Sequence, residues 1–283
     1  MSENNKITDF ITYPKTFEKY KWYKPILVII LTVVLTLIFA LILNETVPNY
    51  ILNGGYEVMN TQMGQIFTDL LVIIMIPALY IGVKIVRDRP FSSYLSSRGG
   101  WNYKLYLKAL IIPFVLFMVV SVIESAIEGK EPNAVYHFSV PFLIAIIILV
   151  PLQCIAEELI FRGLFMQTFG AWFKIPVVAI ILQSILFTFD HGYNSIGLIQ
   201  IFVTGVVLGF FAWKTNGIEV SSAIHTANNF ISALLSSFGL IAATSTVKVA
   251  DVIIWSCVYV VLLIILYYVG KKTNWFGEIP ENS

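Results

Sequence analysis

Long apolar runs alternate with short polar connections along this chain, and the runs have the length of bilayer crossings. A hydrocarbon core about 30 Å thick calls for about 20 apolar residues per helix. Eight stretches meet or approach that length: Pro25–Leu43, Ile66–Val86, Leu107–Ile127, Val140–Phe165, Ile175–Asp190, Ile196–Trp213, Ile218–Phe238 and Val252–Val269. The fifth is short, and the seventh is weakly apolar, with many Ser, Ala and Asn residues. The pattern predicts an all-α fold, a polytopic membrane helix bundle of about eight transmembrane helices. No small-residue cleavage site follows the first run, which therefore reads as an anchor and not as a removed signal peptide. With no internal repeat or long linker, the expected organisation is a tail at 1–24, one transmembrane domain at 25–270 and a second tail at 271–283.

Composition supports the bilayer reading. Hydrophobic residues make up 58% of the 283 and charged residues only 12%, roughly half the charge that covers a soluble domain. The formal net charge of +1 offers no concentrated basic face, which argues against nucleic acid as a partner. Cys154 and Cys257 both lie in apolar stretches, so no disulfide framework is expected.

The basic residues set an orientation. Lys6, Lys15, Lys19, Lys21 and Lys24 precede the first run. Lys84, Arg87, Arg89, Arg98, Lys104 and Lys108 surround the second connection, and Lys271 and Lys272 follow the last run. The alternate connections hold only Lys130 and Lys248. Lys/Arg-rich segments stay cytoplasmic, so the expectation is a multi-pass cell-membrane protein with both termini in the cytosol. Trp22, Tyr23, Trp101, Tyr103, Trp213, Tyr267 and Tyr268 fall at the run edges, where amphipathic rings settle.

The residues that carry chemistry are those that do not belong in lipid. Glu157 and Glu158 lie inside the fourth run, with Arg162 beside them. A charge at the bilayer centre costs about 2.5–3.5 kcal/mol on insertion scales, so paired carboxylates there need a reason. Glu158 and Arg162, four apart, share a helix face in the favoured acid-first order, while Glu157 points about 100° away. An ion-pair cluster that only fixes packing is one explanation. Two histidines extend the pattern: His191 closes the fifth run one turn after Phe187, and His225 shares a face with Asn229 in the seventh. Asp69, Asp190 and Asp251 read as edge residues, and Gly205 with Gly209 as a close-packing pair.

At these positions the chain resembles a known family. Glu157-Glu158-Leu159-Ile160-Phe161-Arg162 is similar to the E-E-x-x-x-R motif of the CPBP family, which includes type II CAAX prenyl endopeptidases and bacterial Abi proteins. Phe187 to His191 is similar to its F-x-x-x-H motif and His225 to Asn229 to its H-x-x-x-N motif. The three occur in family order, and the resemblance covers about residues 140–236. It implies an intramembrane endopeptidase that cuts near the C-terminus of a membrane-associated peptide or protein. Glu157 would be the general base that activates water, with His191 helping to hold or deprotonate it. His225 and Asn229 would stabilise the oxyanion, and Glu158 with Arg162 would support the site. A dry carboxylate suits the work of a base, and preorganised donors in a dry site suit an oxyanion.

Two alternatives stay open at this point. His191 and His225 with one carboxylate would supply the three ligands of a catalytic zinc, although the reading leans to no tightly bound metal. A non-catalytic scaffold, or an Abi-type bacteriocin-immunity protein that binds a peptide or partner, would use the same polar set differently. Other protease designs are excluded: no H-E-x-x-H occurs, no Gly-x-Ser-Gly, and no pair of intramembrane aspartates. One conflict is left. With a rise of 1.5 Å per residue, the run boundaries put Glu157 roughly 25 Å below the outer surface and His191 roughly 24 Å above the inner one, too far apart to meet in a core of about 30 Å.

Overall fold

The computed structural model describes residues 9–47, 53, 58, 60–128, 134–241 and 244–276. Lys6, Lys130 and residues 277–283 of the C-terminal tail, all used above, lie outside these. A 3₁₀ turn at Tyr13–Thr16 precedes α1 (Lys24–Asn44). There follow α2 (Gln62–Ile73), α3 (Met75–Val86), the single turn α4 (Ser92–Leu95) and α5 (Tyr103–Glu128). The fourth run forms α6 (Val140–Glu158), a π-helical stretch (Leu159–Met166) and α7 (Gln167–Phe173) without a break. The remainder is α8 (Pro176–Phe189), α9 (Ser195–Lys214), α10 (Glu219–Ser237) and α11 (Val249–Lys272). Among the described residues there is no strand, only isolated bridges at Ser96–Gly217 and Tyr136–Phe238.

Six helices are long and apolar enough to cross a membrane: Lys24–Asn44, Gln62–Val86, Tyr103–Ile127, Val140–Phe173, Ser195–Lys214 and Val249–Lys272. They coincide with six of the eight expected runs. The other two runs are also helical but fall short for different reasons. Helix α8 has only 14 residues. Helix α10 is long but polar, and its environment explains why: every residue from Glu219 to Ala227 is buried, so it meets protein and not lipid. Helix α1 is the opposite case. Leu27, Ile30, Val33, Leu37, Leu41 and Ile42 are all exposed along it, an apolar face that suits contact with hydrocarbon.

Helix α10 packs against α5, α6 and α9, while α8 lies along α9 and α1 along α3. A core of Phe117, Leu208, Phe211, Ile224, Tyr259 and Leu262 joins α5, α9, α10 and α11. The connections gather at two ends. At one end Ile218 N–H donates to Leu95 O, Ser97 N–H to Asn216 O, Arg98 Nη1 to the Phe276 carbonyl and Trp172 Nε1 to the Trp22 carbonyl. At the other, His137 N–H donates to Ser237 O and Asn194 N–H to Ser245 O. Phe10 donates to Asn216 Oδ1, so both ends of the described chain lie at the first, basic end.

The fourth expected run needs a correction. It does not stop at Phe165 but continues as one 34-residue helix to Phe173. The polar residues beyond Phe165 are satisfied by protein partners: Gln167 Nε2 donates to Ser93 O at 3.0 Å and Thr168 Oγ1 to Leu164 O at 2.6 Å. The chain turns back at Lys174, whose φ of 59° is left-handed.

Candidate active site

That extension removes the conflict in depth. Glu157 lies 17 residues before Lys174 and His191 lies 16 after Ile175, so both sit about 25 Å from the same turn. On the opposite wall the site is shallow, because His225 is only six residues from the start of α10, about 9 Å.

Four helices and the π-helical stretch supply the polar cluster. Arg162, on that stretch, is fully buried and donates through Nη1 to Glu158 Oε1 at 2.9 Å and through Nη2 to Gly205 O at 3.2 Å. Its guanidinium also stands 4.4 Å from the centroid of the Phe187 ring. The glycine pair on α9 makes this possible. A Cβ on Gly205 would lie 3.1 Å from the Ser184 side chain, and one on Gly209 2.7 Å from Gln183 Nε2. Close approach of α8 and α9 thus brings the Gly205 carbonyl within reach of Arg162 and of Gln183 Nε2, which donates to it at 3.0 Å. The G-x-x-x-G expected only to pack also anchors the arginine.

His225 joins the two acids. Its Nδ1 lies 3.1 Å from Glu158 Oε1, and its Nε2 lies 3.6 Å from Glu157 Oε2 and 3.3 Å from Asn229 Nδ2. Since a carboxylate only accepts, Nδ1 carries the proton in this contact, and Nε2 is the nitrogen turned toward Glu157 and Asn229. Glu157 is held from its own helix by Gln153 Nε2, which donates to Oε1. Asn229 Nδ2 donates to the same glutamine's Oε1 at 3.1 Å. Glu157 Oε2 is buried and has no hydrogen-bond partner among the described residues.

The structure therefore brings Glu157, Glu158, Arg162, His225 and Asn229 together, and links His191 to them through the Phe187 ring. The Phe187 ring lies edge-on to both histidines, with centroids 4.6 Å from His191 and 5.9 Å from His225. His191 Nδ1 is 2.7 Å from the Phe187 carbonyl, so it donates there and leaves Nε2 with the lone pair. Among the described residues no three His, Cys, Asp or Glu side chains gather as a metal-ligand set.

Two participants escaped the sequence reading. Gln153 stands one turn before Glu157 on the same face, a polar residue in an apolar run, and that spacing was the available signal. Asp69 is not an edge residue: it lies inside Gln62–Val86, 2% exposed, accepts from Gln65 Nε2 at 2.9 Å and is electrostatically coupled to Glu157. Its link to the site comes from α2 packing on α6, which one run's periodicity does not reveal.

Comparisons with known proteins bear on the same segment of the chain. The uncharacterized protein YyaK of Bacillus subtilis (strain 168) is 28% identical over 228 residues, 75% of each chain. No solved structure matches. A family model described as Type II CAAX prenyl endopeptidase Rce1-like matches residues 139–231, the segment holding every residue of the cluster except Asp69. Over residues 139–231 the chain is therefore similar to the Rce1-like type II CAAX prenyl endopeptidases.

Proposed function

We propose that this protein is an intramembrane endopeptidase in which Glu157 activates the attacking water. The observation that carries the reading is the buried, unpartnered Glu157 Oε2, 3.6 Å from His225 Nε2 and beside the Asn229 amide. Water entering there gives its proton to Oε2 while its oxygen attacks the scissile carbonyl carbon. With His225 Nδ1 committed to Glu158, Asn229 Nδ2 is the donor left to meet the carbonyl oxygen as it gains charge, and His225 Nε2 joins it only when the ring carries a second proton. Glu157 then passes the proton to the leaving amine. In this reading His191, with its lone pair on Nε2, holds the water or accepts a proton from it.

The substrate class follows the family: a peptide bond near the C-terminus of a membrane-associated peptide or protein.

The test pairs two measurements on membranes containing the wild type or Glu157→Gln: abundance of the chain, and release of peptide from a membrane-anchored reporter. Gln keeps the hydrogen bond but cannot take the water's proton. Loss of general-base work costs about 10²–10⁴-fold, so cleavage falls by that factor at near-normal abundance. Undiminished cleavage by a correctly folded variant would sink the catalytic assignment and favour a peptide-binding scaffold or immunity protein.

A further inference from the structure

Outside the active site, the basic end of the bundle holds a cavity of ≈ 650 Å³ lined by Phe17, Lys19, Lys84, Arg87, Asp88 and Arg89 among others. It sits where α1 begins and α3 ends, beside Trp22 and Tyr23, which are both exposed. Aromatic rings there mark a bilayer interface, so the cavity opens at headgroup level.

Its charge is arranged for an anion. Asp88 is spent inward: Arg89 Nε is 3.5 Å from its Oδ2, and Tyr94 Oη donates to the same carboxylate at 3.3 Å. Burial also pushes the Asp88 carboxyl above its ordinary range, against the pull of Arg89. Lys19, Lys84 and Arg87 are exposed around the opening, with Glu18 the one further acid in the lining. Tyr20 Oη has no hydrogen-bond partner among the described residues, and Arg89 Nε has none beyond its ion pair with Asp88. Tyr20 lies close enough to Arg89 and Asp88 to feel both charges. Deeper along α3, at Met75, a second and largely apolar groove is lined by Ile29, Val33, Leu37, Leu164 and Phe165, with Thr32 and Thr36 among them. Met75 and Val83 are eight residues apart, so the groove lies about 12 Å further into the bilayer.

We propose that this pair of cavities binds one anionic glycerophospholipid, its phosphate among Lys19, Lys84, Arg87 and Arg89 and one acyl chain in the groove between α1 and the π-helical stretch. A free phosphate would use the first cavity alone, and a zwitterionic lipid would gain little from its cations. The lipid docks α1 and the N-terminal segment against the catalytic helix, because Arg89 also donates to Gln167 and, at 3.4 Å, to the Gly163 carbonyl.

The experiment is native mass spectrometry of the full chain in detergent micelles doped with phosphatidylglycerol or phosphatidylcholine, with inorganic phosphate added as a third arm. Phosphatidylglycerol is retained in preference to phosphatidylcholine, and inorganic phosphate does not displace it. Retention falls about fivefold for each cation removed in Lys84→Gln/Arg87→Gln and, from the other wall, in Lys19→Gln. Lys104→Gln/Lys108→Gln, equally exposed on α5, leaves retention unchanged. Equal retention of the two lipids, or equal loss in the α5 control, overturns the proposal. Full displacement by inorganic phosphate overturns it too, in favour of a free-anion site. Wild-type cleavage of a reporter plays no part in the readout, so failure here is separable from failure of the protease reading.

Discussion

Glu157 and Glu158 are neighbours in sequence, yet the helix turns them to different partners, and the two glutamine variants separate accordingly. Glu158 is the counter-charge of Arg162 and the acceptor for His225 Nδ1, and both Glu158 and Arg162 are fully buried. Removing one partner of such a pair leaves an uncompensated buried ion, at a cost of about 3–5 kcal/mol. Glu158→Gln therefore lowers abundance in the membrane together with activity, where Glu157→Gln lowers activity alone. Quantitative blotting beside the cleavage assay distinguishes them, and normal abundance of Glu158→Gln would remove the structural role. A second residue-level expectation concerns metal. With Glu157 held by Gln153 and Glu158 by Arg162, both nearby acids have protein partners, and cleavage is expected to proceed without stoichiometric zinc. Elemental analysis of active protein checks it. One zinc per chain, lost together with activity in His191→Ala, would make the protein a metalloprotease.

At the scale of elements, the π-helical stretch is the feature that aligns the site. An i→i+5 segment widens the helix and commonly marks functional positions. Here it follows Glu158 directly and carries Arg162 and Gly163. Gly163 is where the α4 turn presses on this helix: a Cβ there would lie 2.5 Å from the Tyr94 carbonyl oxygen. That contact is with backbone, so it does not relax cheaply. Gly163→Ala is expected to destabilise the protein by about 1–3 kcal/mol, the usual cost of overpacking. It should also loosen Arg89 from the Gly163 carbonyl. A thermal melt of the purified chain measures this, and an unchanged midpoint would mean that α4 moves aside freely.

For the whole molecule, the contacts that gather alternate connections at two ends imply an even number of crossings, with Lys84, Arg98, Lys214 and Lys272 all at the end that holds both described termini. We propose that this end faces the cytosol. Cys257 is exposed and Cys154 buried, so a Cys257→Ser background suits labelling. An impermeant thiol reagent added outside intact cells should modify Lys130→Cys and spare Ser92→Cys. The reverse result would invert the orientation and the side from which the site is approached.

The one-dimensional pattern was sufficient for the helical class, the membrane setting and the polar set, because lipid penalises charge so strongly that Glu157, Glu158 and Arg162 announce themselves in an apolar run. It was also sufficient for the i, i+4 relations, Glu158 with Arg162 and His225 with Asn229, because a helix face is a local property. Apolar runs could not locate the end of the fourth helix, since polar Gln167 and Thr168 interrupt the run while Ser93 and Leu164 satisfy them inside the protein. Nor could they separate α10, polar because protein encloses it, from a marginal membrane span. The placement of Phe187 between the two histidines, the use of the Gly205 carbonyl by Arg162 and the approach of Asp69 to Glu157 depend on which helices pack together. Those are long-range contacts, and only the tertiary structure decides them.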